Sequence, residues 1–230
     1  MSVRLNKFLA ESGVCARRKA DELIAAGDVT VDGRRARVGE SIDPARQRVV
    51  CRGKLVRPQN DRLTLVLNKP PGIVTTLSDE RGRKSVRHLL PASPRLFPVG
   101  RLDAASSGVL LCTSDGELAK ILTHPSFGVE KRYRVRAAGP MTSETVAALG
   151  AVDVRSERDG THAFDVVLHE GKNRQVRRMC AQRGLRVLEL RRVCFGPVEL
   201  RGLAPGKLRA LTKAEREALE RIRQAANHGM

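Results

Sequence analysis

Apolar positions near the N-terminus change their spacing once, and the change marks a switch from helix to strand. Leu5, Phe8 and Leu9 in RLNKFLAESG recur at helical intervals and Ser12-Gly13 ends that helix; Ala20, Leu23 and Ile24 form a second stripe, closed by Gly27. From Val29 the period falls to two. Val29 and Val31 alternate with polar residues, Asp32-Gly33 supplies a turn, and Ala36 and Val38 resume the alternation, which predicts a hairpin. The polar stretch VRPQNDR (56–62) reads as a linker. After it, Leu63, Leu65 and Leu67 alternate in a strand that Pro70-Pro71-Gly72 must stop. Further strands are predicted over GVLLCT, KRYRVRA, GTHAFDVVLHEG behind the Asp159-Gly160 turn, and LRVLELRRV. Helices are predicted over SDGELAKIL, with a capping box of Ser114 and Glu117, over NRQVRRMCAQRG, and over TKAEREALERIRQ, boxed by Thr212 and Glu215. Strands predominate and the helices do not alternate strictly with them. That predicts an α+β chain with a mixed or antiparallel sheet rather than a doubly wound one.

Charge narrows the class of partner. Forty-three Lys and Arg against 25 Asp and Glu give a net charge of +18 in 230 residues, shared as +6 over 1–60, +5 over 61–150 and +7 over 151–230. An excess that large and that evenly spread favours a polyanion, nucleic acid first, through field steering and counterion release. Arg17, Arg18 and Lys19 gather where the second helix begins, a place whose free amides already suit phosphate; a solvated charged face explains the same cluster equally well. Five cysteines, odd in number and without a C-x-x-C pair, read as buried thiols of a reducing compartment. The five histidines form no H-E-x-x-H or other close pair, so no metal site is expected. No apolar run reaches bilayer length and the first residues carry no signal-peptide core, so a cytoplasmic chain without membrane contact is expected.

Three places carry candidate chemistry. In PVGRLDAASSGVLLCTSDGEL (98–118) a lone carboxylate, Asp103, follows Arg101 and precedes Ala104, Ala105, Ser106, Ser107 and Gly108. An Asx-type turn or a local cap is the plainer use of such an aspartate. Against it, a neighbouring guanidinium favours the ionised form, the small residues leave room for close approach, and the apolar VLLC places Asp103 in a loop at the edge of a central strand. Tyr133 is the only tyrosine. In KRYRVRA the period of two puts Lys131, Tyr133 and Val135 on one face and Arg132, Arg134 and Arg136 on the other; the ring is then either core or a surface on which a base stacks, with a weakly acidic hydroxyl. In GKNRQVRRMC, a helix capped by Asn173 would bring Arg174, Arg177 and Arg178 to one face, with Val176, Met179 and Cys180 as its buried stripe. Guanidiniums so placed bind phosphate or fix a carboxylate, or they are merely solvated. Clustered carboxylates for a metal nuclease, a carboxylate pair for a hydrolytic glycosidase and a G-x-S-x-G nucleophile are all missing.

The stretch from Arg4 to Gly39 resembles the S-four RNA-binding domain, a helix-helix-hairpin module found in enzymes and non-enzymes alike. Residues 62–213 resemble the RsuA-type ribosomal-RNA pseudouridine synthases through LNKPPGIVTT, FPVGRLDAASSGVLLCTSDGELAKILTHP, EKRYRV, GKNRQVRRMC and GPVELRGLAPGKLRALT, in that order. The resemblance implies a small S-four domain (1–58) followed by a catalytic domain (59–230) with a mixed, mainly antiparallel sheet flanked by helices. It implies that Asp103 is the essential aspartate, that Tyr133 stacks on the target uracil and helps remove its C5 proton, and that Arg177 pairs with the aspartate. Arg101, Lys69, Arg174 and Leu190 would meet substrate or pack beneath it, and Arg4, Lys7, Arg17, Arg18 and Lys19 would meet RNA. The reaction breaks the N1 to C1′ bond of uridine, turns the uracil and bonds C5 to C1′, with no net redox change; no cofactor and no metal are implied. The stretch RLNKFLAESGVCARRKADELI looks most like the large-subunit enzymes of RluF type, pointing to 23S rather than 16S ribosomal RNA, free or in an assembly intermediate, and a monomer is expected. Two rivals stand beside this reading. A non-catalytic RNA-binding or ribosome-assembly factor would not need Asp103, and an N-glycosidase would release free uracil.

Overall fold

The computed structural model describes residues 2–58 and 62–228, with the side chains of 227 and 228 left aside; residues 59–61 of the expected linker lie outside the described residues. The chain falls into two compact units. One holds the residues up to Leu63 together with Ser93–Arg95 and Ser114–Gly116, and the other holds Thr64–Ala92, Leu96–Thr113 and the chain from Glu117 onward.

In the first unit β1 (Val3–Arg4) leads into α1 (Leu5–Glu11), α2 (Arg17–Ala26), β2 (Val29–Val31), β3 (Arg34–Arg35), β4 (Ser41–Ile42), β5 (Val49–Cys51) and β6 (Lys54–Leu55). The two helical stripes supply the core: Leu5, Phe8 and Leu9 of α1 and Leu23 and Ile24 of α2 bury against Val29, Val31 and Val49. Gly27 ends α2 in the left-handed conformation, as its position after the last apolar residue requires. The β2–β3 turn places Asp32 (φ 51) and Gly33 (φ 82) both at positive φ, the signature of a type I′ hairpin. The second arm is shorter than the alternation predicts. Ala36 still donates its N–H to the Val29 carbonyl (3.0 Å), but the chain then turns so that the Glu40 N–H reaches the Arg37 carbonyl, which leaves Val38 exposed. The other edge of β2 is taken by β5, giving the order β3-β2-β5-β6, while β1 pairs with β4.

The second unit is built on one sheet of nine strands. Its elements are β7 (Thr64–Lys69), β8 (Phe97–Pro98), β9 (Ser107–Thr113), α3 (Gly116–Thr123), β10 (Lys131–Ala138), α4 (Ser143–Leu149), β11 (Val152–Ser156), β12 (Thr161–Leu168), α5 (Gln175–Ala181), β13 (Arg186–Phe195), β14 (Val198–Glu199), β15 (Leu208–Ala210) and α6 (Lys213–His228). The strand order is β11-β12-β10-β13-β9-β7-β15, with β8 on β9 and β14 on β13. Every pair is antiparallel except β9 with β13, which meet in parallel at Ser107 with Arg191 and Gly108 with Arg192. Gly108 (φ 110) is obligatory at that seam, because a Cβ there would overlap the Arg192 carbonyl and amide and would need a backbone conformation that side chains avoid. The strand β7 stops one residue before Pro70, yet Val66, Leu67, Asn68 and Lys69 are all buried, since the strand lies between β9 and β15 with both faces covered.

The alternation on β10 is as its period demands. Lys131, Tyr133 and Val135 are buried on one face; Arg132 and Arg134 are exposed and Arg136 half-buried on the other. The outward guanidiniums are matched by acids: Arg132 with Glu130 (3.5 Å), Arg134 with Asp165 (2.9 Å), and Arg136 with Glu157 (2.8 Å) and Asp159 (2.5 Å). The five thiols are free; Cys51, Cys112 and Cys180 are buried, whereas Cys15 and Cys194 are half-buried, and burial pushes Cys112 up to about 12. No helix among the described residues is long and apolar enough to cross a membrane.

Helix α6 begins with the reciprocal cap its sequence encodes: the Glu215 N–H donates to Thr212 Oγ1 (3.2 Å) and the Thr212 N–H to Glu215 Oε2 (2.8 Å). The same carboxylate, 1% exposed, also accepts both terminal nitrogens of Arg209 at 2.7 Å. Burial pushes its pKa up, but hydrogen bonds from Arg209 and Thr212 and the charges of Arg209 and Arg201 outweigh that and hold it at about 2 instead of 4.5. A carboxylate with a depressed folded pKa stabilises the fold fully above its unfolded value and loses that contribution as pH falls through the folded value, here from about 4.5 to about 2, worth roughly 3 kcal/mol. Urea unfolding of wild type and Glu215→Gln at pH 6, 4 and 3 is expected to show the variant clearly weaker at pH 6 and the gap closing towards pH 3. A gap that does not change with pH would show that the carboxylate's charge contributes nothing.

Candidate active site

The loop between β8 and β9 carries Asp103, and its backbone is tied on both sides of that residue. The Leu102 N–H donates to Thr75 Oγ1 (3.2 Å), whose hydroxyl donates back to the Leu102 carbonyl (2.6 Å). The Ala104 carbonyl accepts from the Gly72 N–H (2.7 Å) and Lys69 Nζ (3.4 Å), the Ala105 carbonyl accepts from Arg177 Nη2 (3.2 Å), and the Ser106 N–H closes a turn on the Asp103 carbonyl (3.0 Å). The carboxylate itself is left half-buried, and among the described residues no hydrogen bond or ion pair reaches it. A fixed main chain with an uncommitted side chain is the reverse of an Asx turn, in which the side chain does the tying.

Asp103 opens into a cleft of about 440 Å³, within the range of small-ligand pockets. Its walls include Arg101, Tyr133, Asn173, Arg174 and Leu190, and a second cleft of about 510 Å³, bounded by the loop from Val74 to Arg83, adjoins it at Arg101 and Asp103. Tyr133 sits opposite Val166 on one neighbouring strand and Arg192 on the other; it is 9% exposed, and its hydroxyl forms no hydrogen bond among the described residues. Leu190, opposite Val135, is buried in the same wall. Arg101 is exposed at the junction of the two clefts.

Two expected placements change. Lys69 does not reach the cleft: it is 0% exposed and its ammonium is spent on the carbonyls of Pro70 (2.9 Å), Ile73 (2.7 Å) and Ala104. Burial pushes it down to about 8, and the negative charge of Asp103 works against that fall. It therefore supports the Asp103 loop from behind instead of meeting substrate. Arg177 forms no ion pair with Asp103, because its Nη atoms are taken by the carbonyls of Ala105 and Val187 (3.3 Å); its Nε is buried without a hydrogen-bond partner among the described residues. Burial and the charge of Arg174 lower its pKa, while Asp103 raises it, so the two groups feel each other across the loop. The helix α5 also starts later than Asn173 would cap it. Arg174 is the residue before its first turn, in the left-handed conformation (φ 47), with Arg174 and Arg178 exposed and Arg177 turned inward. In the first unit Arg4, Lys7, Arg17, Arg18 and Lys19 are all exposed; Arg4 donates to the Gly39 carbonyl, and Lys7 and Lys19 pair with Glu11 (3.7 Å) and Glu22 (2.6 Å).

Sequence reasoning missed Arg192 and Phe195, which also line the cleft, noted Ser106 only within the small-residue run behind Asp103, and noted Lys131 only as Tyr133's neighbour. Arg192 follows Arg191 in LELRRVCF, where the period of two puts it on the face of Leu190, and that alternation was the available signal. Phe195 could not be found that way, since a bulge at Val193 shifts the register and brings Arg192 and Phe195 to the same wall. No group of three His, Cys, Asp or Glu side chains among the described residues is placed to hold a metal ion.

Known proteins share this architecture. The family model described as RNA pseudouridylate synthase matches residues 63–182 and the S4 domain model matches residues 3–45. The Escherichia coli K12 dual-specificity RNA pseudouridine synthase RluF is 36% identical over 93% of this chain and 77% of its own length. The Bacillus subtilis ribosomal large subunit pseudouridine synthase B is 35% identical over 98% of each chain. A crystal structure of a pseudouridylate synthase superposes with a TM-score of 0.64 at 27% identity, covering 94% of this chain and 99% of the other. With an S4 module ahead of a mainly antiparallel synthase sheet, and with these similarities along nearly its whole length, the chain belongs to the RNA pseudouridylate synthase family, among its RsuA-type pseudouridine synthases.

Proposed function

We propose that this chain isomerises a specific uridine of ribosomal RNA to pseudouridine, with Asp103 as the reacting group. The observation that carries the reading is a carboxylate whose backbone is fixed at four successive residues while its oxygens stay free, opening into the same cleft as an uncommitted tyrosine hydroxyl. Such preorganisation costs no rearrangement when the substrate arrives. The target nucleotide must leave its stack to enter the cleft, and stacking on Tyr133 together with phosphate contacts from Arg101 and Arg174 offset that cost. The hydroxyl of Tyr133 then takes part in removing the C5 proton, and the half-enclosed cleft keeps the detached ring from escaping. Arg177 and Lys69 act at one remove, holding the loop. In this reading residues 1–58 dock the RNA through Arg4, Lys7, Arg17, Arg18 and Lys19, residues 59–230 carry the reaction, and no cofactor takes part. The reading takes the chain to act as a cytoplasmic monomer. The target is taken to be 23S rather than 16S RNA, a choice supported by the Bacillus subtilis relative, which is named as a large-subunit enzyme.

Purified protein incubated with ribosomal RNA carrying tritium at uridine C5 is expected to release tritium to water at one site, without free uracil. Release of uracil with an abasic product would establish base excision instead. Binding without either product would leave an RNA-binding factor.

A further inference from the structure

Two cations lie buried at the floor of the cleft, and the roles given so far do not use them. Arg192, 2% exposed, donates Nε–H to the Val109 carbonyl (2.8 Å), while its Nη2 is buried and has no hydrogen-bond partner among the described residues. Lys131, 7% exposed, donates to the Val129 carbonyl (2.8 Å). Both stand over the Phe195 ring, 4.7 Å and 5.4 Å from its centroid. Neither forms an ion pair among the described residues, and the charge of Arg192 adds to burial in pushing Lys131 below its ordinary range. An aromatic face compensates such burial only in part, and unpaired interior cations are costly unless something in the site answers them. Ser106 Oγ, in the same lining, is another buried polar atom without a partner.

The geometry points to Arg192, backed by Lys131, as the group that selects the base: it donates to a carbonyl oxygen of the uracil ring and holds the charge that the ring carries during reaction. This assignment rests on the function proposed above and adds to it. Heterolysis of the N1 to C1′ bond leaves its electron pair on the ring, delocalised onto O2 and O4. Addition of the carboxylate to the ring instead puts an enolate at O4. Either course makes the ring anionic until C5 bonds to C1′, after which the C5 proton leaves and N1 takes one up, so the two cations meet a charge in both. A donor-only floor also disfavours cytosine, whose exocyclic amine offers N–H groups where uracil offers O4, and a site of this kind rejects the mismatched analogue strongly.

The test uses the full chain and RNA bearing uridine, 2-thiouridine or 4-thiouridine at the target position, sulfur being the poorer acceptor. Wild type is expected to convert at least one thio substrate tenfold or more slowly than uridine at saturating RNA. Arg192→Gln is expected to lower kcat on uridine about 100-fold while keeping RNA affinity within threefold, and to shrink the thio penalty to less than threefold. Equal wild-type rates on all three RNAs, or an undiminished penalty in the variant, would overturn the assignment alone. No product from uridine itself would overturn it together with the proposed function. Should Arg192→Gln not fold, Lys131→Met serves instead, with a kcat at least tenfold lower expected at unchanged RNA affinity; an unchanged kcat overturns the role of the pair.

Discussion

Asparagine in place of Asp103 is expected to abolish pseudouridine formation, lowering the single-turnover rate by at least about 10⁴-fold, while RNA affinity and melting temperature stay near wild type. The expectation follows from how the loop is held. The ties to Leu102, Ala104, Ala105 and the Asp103 carbonyl are all main-chain contacts, so the substitution removes none of them. The carboxylate makes no hydrogen bond or ion pair among the described residues, only longer-range attraction to Lys69 and Arg177, and asparagine is its isostere. What vanishes is the negative charge and the nucleophilic oxygen alone. Measuring tritium release and filter binding on the same preparation separates the outcomes: retained turnover removes Asp103 from the reaction, and a large loss of binding would mean that it helps to hold RNA.

Tyr133 separates into ring and hydroxyl. Phenylalanine keeps the ring in a wall where the tyrosine hydroxyl bonds to nothing described, so the fold should not change. If the hydroxyl takes part in proton removal at C5, Tyr133→Phe loses about 10² to 10⁴ in kcat with RNA affinity kept. Tyr133→Leu, which also removes the stacking face, should weaken RNA binding further by about 1–3 kcal/mol. Tritium release and filter binding on both variants decide between the roles. Equal turnover by wild type and the phenylalanine variant would leave Tyr133 as a stacking surface only.

How much of this was legible beforehand differs from element to element. The helices α1 and α2 and the turn at Asp32-Gly33 follow from local periodicity and glycine placement, which the chain carries in consecutive residues. The cap of α6 was equally local, four residues wide. The face of β10 that holds Tyr133 came from a period of two. By contrast β4 and β15 are two or three residues long and exist only because a distant strand, β1 or β7, completes them, so no window of sequence contains their signal. For the same reason Lys69 was misplaced: a lysine next to a Pro-Pro turn gives no sign that three carbonyls from two loops enclose it. Arg177 was read on the correct helix, but which of its neighbours takes its nitrogens depends on where the Ala105 carbonyl lands, a tertiary fact.

The acids of this chain are not spent evenly around the sheet. Asp165, Glu157, Asp159 and Glu130 answer the arginines on the outward side of β10, while Arg101, Arg174 and the Lys131 and Arg192 pair keep their surplus on the other. Even with Asp103 and Glu170 in its lining, the cleft therefore holds more positive than negative side chains, and that excess faces its mouth. An approaching polyanion is swung into orientation within about a Debye length of the surface, before any contact forms, and added salt erodes this alignment ahead of the docked complex itself.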